Sequence, residues 1–288
     1  MTLRRRHLFA LLFPLGGLVT VFLLAPAALG LLATLTTYAP NRPTVAISGL
    51  ANYAAVFRNG EFVAGLRNIT VFTLVGVPLD LVIGVGLAYV LRRPFRGRGL
   101  VTVLLLAPWL VSPIANGVMW HFLFSDQTGL FGYVVASAGL TQQPSPLGQK
   151  NLALIVATIV DVWRTAPFVT FLVLPGMSAI SETSWEQAML DGASSIGKIR
   201  HVALPALRPL LAAIALILVG ASLGAFDSLL ILTGGGPGTA TTTPGLFSYR
   251  QVFELTNWPI GSTAAWLIGG AVLVVGLLYL RFAPREAE

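Results

Sequence analysis

The sequence is poor in charge and contains no cysteine. Only 10% of its 288 residues are charged, whereas 55% are hydrophobic. A soluble domain carries about 25% charged residues, so this composition indicates an integral membrane protein. The absence of cysteine excludes disulfide bonds, iron–sulfur clusters and thiolate chemistry. The three histidines lie far apart in the sequence, so a histidine-based metal site is not expected.

The sequence also lacks a nucleotide-binding motif. The glycine run at 233–238 resembles a phosphate cradle, but the Lys-Ser/Thr pair that completes a P-loop is missing. We therefore expect a flexible turn on the outer face there. No internal repeat is visible. The membrane segments use the whole length, so no part of the chain remains for a soluble catalytic module.

Six apolar runs reach the roughly 20 residues that a membrane-spanning helix needs. Arg4, Arg5 and Arg6 precede the first run as in a signal peptide, but that run is too long for one, and we expect a retained helix. The sequence therefore predicts an all-α integral membrane protein with a single membrane domain over residues 1–288. Its predicted transmembrane helices are 9–36, 68–91, 100–124, 152–176, 209–232 and 262–282.

The distribution of Lys and Arg predicts the orientation. Alternate connections and termini carry twelve of these residues on one side and five on the other. Because cytoplasmic loops are enriched in Lys and Arg, the richer side should be the cytoplasm, with both termini inside. The net charge of +7 is explained by these loops, so no nucleic-acid partner is expected. Residues 182–208, between the fourth and fifth runs, are then cytoplasmic.

This cytoplasmic segment has the pattern of a helix–turn–helix. Ser184 followed by Gln187 predicts a helix N-cap with its reciprocal partner, which puts Glu186 in the first turn, where its charge suits the helix dipole. Gly192 can end that helix in a left-handed conformation. Pro205 and Pro209 should break the pattern before the next span. The second short helix would carry charge at Lys198 and Arg200 and an apolar face of Ile196, Ile199, Val202 and Ala203.

This segment closely resembles the cytoplasmic coupling loop, or EAA motif, of permeases of binding-protein-dependent ABC importers. That motif consists of Glu-Ala-Ala, a downstream glycine and a later Leu-Pro, and Gln187 here replaces the usual first alanine. The resemblance implies that these residues dock in a cleft on an ATPase. The matching residues are Glu186, Gln187, Ala188, Asp191, Gly192, Ala193, Leu204 and Pro205.

Other stretches are similar to the sugar-importing branch of the same family, and the resemblance covers almost the whole chain. They are Arg92–Gly99 leading into Ala107-Pro108-Trp109, Phe226-Asp227 followed by Leu232–Pro237, Gly49–Tyr53, and Arg67-Asn68. The resemblance implies the permease fold of type I ABC importers, with six transmembrane helices and both termini cytoplasmic. It implies a location in a bacterial or archaeal plasma membrane.

The resemblance also implies the partners. A second, homologous permease subunit, two ABC ATPase subunits and an extracytoplasmic sugar-binding protein would complete the assembly in the lipid bilayer. The chain would be a translocation subunit and not an enzyme. It would bind no cofactor itself, because ATP and Mg²⁺ would be used by the ATPase subunits.

The alternative for residues 182–208 is a solvated loop with a capped helix.

Charged residues inside the predicted spans are candidates for function because they are costly in a bilayer. Asp161 and Arg164 are three residues apart and can neutralise each other on one helix face. With Thr165 and Phe168 they form a stripe that would face a central cavity and offer hydrogen bonds and an aromatic face to a sugar. A purely structural ion pair is an equal alternative.

The resemblance extends this substrate pathway to Trp109 and Ser112 on the third span and to Ser222 and Phe226 on the fifth. Asp227 would belong to the pathway, act as a gate or pair with the partner subunit. Asp80, close to Pro78, is expected to be a packing or hinge residue.

Two other functional classes remain open from the residues alone. An ion-gradient-driven secondary transporter of small polar solutes is the alternative, although the inverted repeats that would favour it are not visible. An intramembrane enzyme would need a catalytic constellation that the scattered aspartates do not supply. The identity of the sugar and the composition of the ATPase dimer are not predicted.

Overall fold

The computed structural model describes residues 13–38, 40, 44–125, 129–137 and 145–282. Within these ranges the chain is helical, and the only bridge between extended residues joins Thr36 and Ile47. The helices are α1 Phe13–Thr34, α2 Ala51–Arg58, α3 Gly60–Leu91, α4 Arg98–Leu110, α5 Pro113–Leu123, α6 Leu130–Ser137, α7 Lys150–Ala179, α8 Glu182–Leu190, α9 Ser195–Leu223, α10 Asp227–Leu232, α11 Pro244–Tyr249 and α12 Trp258–Phe282.

Five of the described helices, α1, α3, α7, α9 and α12, are each long and apolar enough to cross a membrane. The bent pair α4 and α5 makes a sixth candidate span. Four predicted spans, 9–36, 68–91, 152–176 and 262–282, therefore coincide with single long helices. Residues 9–12 of the first prediction lie outside the described residues.

The predicted span 100–124 consists of two helices joined at a sharp bend. α4 ends at Leu110, and α5 starts at Pro113 at an angle of 95° to it. Proline disfavours a helical conformation in the residue before it, and Ser112 is extended, with φ −62° and ψ 151°. The Ser112 hydroxyl then accepts a hydrogen bond from the Ala115 N–H at 3.2 Å and caps α5.

The helix that contains most of the predicted fifth span, 209–232, begins before it. α9 runs without interruption from Ser195 through Pro205 and Pro209. A π-helical turn at Ile199–Ala203 precedes Pro205, which then occupies the first turn of the following α-helical segment, where its missing N–H is tolerated. The separate short helix expected around 196–203 is therefore the first part of α9.

The same helix ends within the predicted fifth span. α9 ends at Leu223, and Ala225 N–H bonds back to the Ser222 carbonyl at 3.0 Å. α10 then starts at Asp227 as a helix of only 6 residues. The third and fifth predicted spans are thus both broken.

The chain forms two compact units by its internal contacts. One comprises residues 1–63 and 247–269, and the other residues 64–246 and 270–288. The first unit is organised around a core of Val56, Phe62, Phe247 and Ala264. Its Arg250 Nη1 donates to Glu61 Oε1 at 2.8 Å. The Asn52 amide donates to the carbonyl oxygens of Thr34 and Thr36, which fixes α2 against the end of α1.

The larger unit contains the main core, in which buried side chains of α3, α7, α8 and α9 pack together. α3 approaches α7 very closely at Gly84. A Cβ atom placed on Gly84 would lie 2.5 Å from Cγ1 of Val169. The close approach therefore depends on the absence of a side chain at this position.

The loop after α10 is more ordered than a flexible turn would be. Thr241, Thr242 and Thr243 are fully buried. The Asn68 amide of α3 donates to the carbonyl oxygens of Thr239 and Thr242 at 2.7 and 2.9 Å. These contacts hold residues 233–243 against α3 within the larger unit.

The close approach at Gly84 predicts a stability difference between two neighbouring glycines. Gly84→Ala should lower the free energy of unfolding by about 1–3 kcal/mol, because the methyl group meets Val169 and the backbone of Thr170. Gly86→Ala is the matched control, since a Cβ atom placed on Gly86 would have no neighbour within 4 Å. The midpoint of thermal unfolding in detergent measures both; equal midpoints for the two variants would contradict the packing.

Candidate coupling segment and intramembrane polar residues

The helix α8 carries most of the residues that resemble the coupling motif. It begins at Glu182, and its N-cap is Ser181, whose hydroxyl accepts from the Ser184 N–H at 3.4 Å. The prediction of Ser184 as N-cap is therefore wrong. Ser181 is the residue with extended backbone, with φ −58° and ψ 137°, and its hydroxyl is 2.8 Å from that of Ser184.

This earlier start changes the positions of the acidic residues. Glu182 occupies the first turn, where its charge suits the positive end of the helix dipole. Glu186 lies a full turn further on, and Gln187 lies in the body of the helix. The expected first-turn position of Glu186 and the capping role of Gln187 are thus wrong, while both side chains remain exposed.

Gly192 ends the segment as the sequence predicts. Its φ is +72°, in the left-handed region. Its N–H bonds to the Met189 carbonyl at 3.0 Å, and the Ala193 N–H bonds to the Ala188 carbonyl at 2.9 Å. This pair of bonds is the Schellman arrangement that satisfies the last carbonyls of a helix. No atom crowds the position, so the backbone conformation alone favours glycine.

The segment has one buried and one exposed face. Trp185 is 1% exposed and belongs to the main core, whereas Leu190 is 88% exposed and Ile196 77% exposed. Glu186 and Asp191 share the exposed surface. Leu204 and Pro205 are also exposed, but they lie further along the chain, in α9. Large exposed apolar side chains among charged ones are typical of a binding surface.

The sequence analysis missed the contact that holds the inner face of α8. The guanidinium carbon of Arg92, which directly follows α3, lies 3.8 Å from the centre of the Trp185 ring and 5.3 Å from that of Tyr89. The two rings are themselves 5.9 Å apart. In the sequence, Arg92 is only an arginine at the end of a predicted span. Such a residue is already explained by the positive charge of cytoplasmic loops, so it did not indicate a contact with Trp185.

The predicted stripe on the fourth span exists on α7. Arg164 Nη2 is 3.4 Å from Asp161 Oδ1, and these side chains are only 19% and 23% exposed, which confirms the expected pairing. The Thr165 hydroxyl is buried and makes no hydrogen bond within the described part of the chain. Phe168 stacks on Trp109 of α4 with ring centres 5.2 Å apart and planes at 17°.

Asp80 of α3 belongs to the same neighbourhood. It is 4% exposed and interacts electrostatically with both Asp161 and Arg164. Its Oδ1 atom accepts no hydrogen bond among the described residues. Asp80 therefore lies near the Asp161–Arg164 pair and forms a group of three ionisable residues with it, which the sequence did not connect.

The remaining predicted pathway residues lie at the breaks of the third and fifth spans. Ser112 caps α5, while Ser222, Phe226 and Asp227 surround the break between α9 and α10. α5 and α10 pack together, and Asn116 Nδ2 lies 3.4 Å from Ser228 Oγ. Within the ranges that the structure describes, no hydrogen bond, ion pair or ring contact joins Ser222 or Asp227 to the stripe on α7. The same ranges contain no group of three potential metal ligands from His, Cys, Asp and Glu.

Comparison with known families decides the identity of the chain. The sequence model of the family described as "Binding-protein-dependent transport system inner membrane component" matches residues 80–286. The chain belongs to this family. This transport component is therefore a multi-pass inner-membrane protein, and the match includes α8, Gly192 and the broken spans.

Curated relatives cover nearly its full length. It is 32% identical over 276 residues to the trehalose/maltose transport system permease protein MalF of Thermococcus litoralis, covering 95% of this chain and 92% of the relative. It is 28% identical over 286 residues to the trehalose transport system permease protein SugA of Mycobacterium tuberculosis, covering 98% and 90%.

Solved structures share the fold of this transport component. A chain of a bacterial ABC transporter involved in the import of the acidic polysaccharide alginate superposes with a TM-score of 0.83 at 20% identity, covering 98% of this chain and 96% of that one. A chain of the alginate transporter in complex with its alginate pentasaccharide-bound periplasmic protein gives 0.81 at 20% identity, covering 94% and 91%. These matches confirm the predicted permease fold.

The group of three ionisable residues in this transport component predicts unequal costs for neutralising its members. Arg164→Gln should reduce stability by about 1–3 kcal/mol, because it leaves Asp80 and Asp161 near each other without a cation. Asp161→Asn should cost less, since Asp80 still lies near Arg164. The midpoint of thermal unfolding in detergent measures both. The double variant is the control for additivity; equal losses in both single variants would contradict the shared group.

Proposed function

We propose that the chain is the membrane permease subunit of an ATP-driven ABC importer of sugars, in which α8 and the start of α9 bind the ATPase. One observation carries this proposal: α8 buries Trp185 in the protein and exposes Glu186 and Leu190, and Ile196 at the start of α9 is exposed as well. A solvated capped helix would have no need of such large exposed apolar side chains.

The proposed roles in the coupling segment follow from this surface. The ATPase is contacted by four residues along α8, which are Glu186, Gln187, Met189 and Leu190. Gly192 fixes the angle between α8 and α9. Ala188, Asp191 and Ala193 line the turn. Leu204 and Pro205 would reach the ATPase from α9. Because this chain has no P-loop, ATP and Mg²⁺ bind to the two partner ATPase subunits.

The substrate pathway is proposed to run beside the polar stripe of α7. Asp161, Arg164 and Thr165 offer hydrogen-bonding groups, and the Trp109–Phe168 stack offers an aromatic face. Sugars bind to such combinations of fixed polar groups and flat apolar rings. Ser112, Ser222, Phe226 and Asp227 lie at helix breaks, where free backbone groups add further polar partners.

Sugar as the class of cargo rests on the relatives, several of which are named for trehalose or maltose transport. The proposed assembly contains a second homologous permease and an extracytoplasmic sugar-binding protein. Both termini of the chain are proposed to be cytoplasmic, which agrees with the excess of Lys and Arg on that side. Closure of the ATPase dimer on ATP would then drive alternating access.

The energy source gives the first test of this function. The complete complex in proteoliposomes, with its binding protein and a labelled sugar chosen by a thermal-shift screen of that protein, should take up sugar only when ATP is enclosed on the ATPase side. Uptake that persists without ATP and follows an imposed ion gradient would instead support a secondary transporter.

The turn at Gly192 gives the second test. Gly192→Pro should leave membrane insertion intact and abolish uptake, because proline cannot adopt a φ of +72° and has no N–H to bond to Met189. Gly197→Ala in the same segment is the matched control, since no atom approaches its Cβ position closer than 3.4 Å. Normal ATP-driven uptake by the proline variant would show that the geometry of this turn is not required.

A further inference from the structure

Three membrane-spanning helices contact the inner face of α8. The indole of Trp185 is packed in a core to which α3, α7 and α9 all contribute. α7 and α9 are joined to α8 directly by short connections, so any displacement of α8 pulls on them through the backbone. α3 has no such connection. It can follow α8 only through contacts between side chains.

Those contacts converge on Arg92. Its side chain is 6% exposed, and its guanidinium lies 3.8 Å from the centre of the Trp185 ring and 5.3 Å from that of Tyr89. A cation over an aromatic face at this distance is attracted by the ring, more strongly when water is excluded. Glu182 is also near, with its Oε2 3.9 Å from Arg92 Nη1, but its side chain is 73% exposed and contributes little.

The aromatic faces are the main compensation for this buried charge. The Nε and Nη2 atoms of Arg92 are buried and have no hydrogen-bond partner among the described residues. If Trp185 moved away, the guanidinium would lose its closest favourable contact. Separation of α8 from the end of α3 is therefore unfavourable, and the two should move together.

α3 can carry such a movement into the membrane. It is a continuous helix of 32 residues, and Asp80 lies about 18 Å along its axis from Arg92. At that level Asp80 is near enough to Asp161 and Arg164 to interact with them electrostatically. The same helix thus contacts the coupling segment at one end and the intramembrane charges near its middle.

We propose that Arg92, which packs over Trp185 and beside Tyr89, is the positioning residue that transmits movement of the coupling helix to α3 and so towards the polar residue Asp80. This inference rests on the proposed binding of an ATPase to α8. Arg92 itself contacts neither the ATPase nor the cargo in this account.

Transport by the assembled complex in proteoliposomes is the first readout. Arg92→Gln and Trp185→Leu should each reduce uptake of the screened sugar by roughly tenfold or more, the loss that a desolvated cation–aromatic contact implies, while ATP hydrolysis continues. Arg92→Lys keeps the charge but loses the planar guanidinium and should be intermediate. Arg93→Gln removes the same charge at the next, exposed position and should transport normally.

A distance measurement separates transmission from mere stability. Since the chain has no native cysteine, spin labels can be placed at Val90→Cys on α3 and Thr183→Cys on α8, both exposed positions. In the otherwise unaltered complex the distance should be narrow and the same with and without ADP–vanadate. In Arg92→Gln it should change or broaden when ADP–vanadate traps the ATPase.

The outcomes also separate this inference from the proposed function. If the ATPase binds and Arg92→Gln keeps both normal uptake and an unchanged distance, the packing of Arg92 on Trp185 is not the transmitting contact, although the importer function stands. If the ATPase does not bind to the unaltered permease, the proposed function fails first and the inference about Arg92 fails with it.

Discussion

Burial of the Trp185 side chain is the contact on which the organisation of the coupling segment depends. A fully buried tryptophan is worth about 3–5 kcal/mol relative to alanine, enough to fix the rotation of a helix as short as α8. Once Trp185 is inside, helical geometry turns Glu186 and Leu190 away from the core. The Ser181 cap and the Gly192 turn then fix where this short helix begins and ends. One core residue thereby decides which surface is available to a partner.

The membrane imposes the second constraint, because unsatisfied backbone groups and isolated charges are costly in hydrocarbon. The break at Ser112 is tolerated since the serine hydroxyl caps α5 and α5 packs against α10. The charges of Asp80, Asp161 and Arg164 are gathered together instead of being spread over separate faces. Several of the buried polar groups therefore lie where two helices meet.

The sequence was a good guide to features that depend on local composition. The left-handed turn at Gly192 and the pairing of Asp161 with Arg164 both follow from neighbouring residues, and the structure confirms them. It was a poor guide wherever two signals competed. The sequence remains hydrophobic across Ser112-Pro113, although the helix is broken there. At the start of α8, Ser181 and Ser184 are both acceptable caps, and only the backbone conformation selects Ser181.

Contacts between distant parts of the chain could not be read from local patterns. The stacking of Trp109 on Phe168, the position of Asp80 and the packing of Arg92 against Trp185 can be predicted only when the packing of the helices is known.

The central claim is that an ATPase binds to the exposed face of α8. A photo-cross-linking amino acid at Leu190, which is 88% exposed, tests this most directly, with Leu110 in α4 as an exposed control. The account predicts an ATPase adduct at Leu190 and none at Leu110, whereas a complex that contains the ATPase but gives no adduct at Leu190 would contradict it.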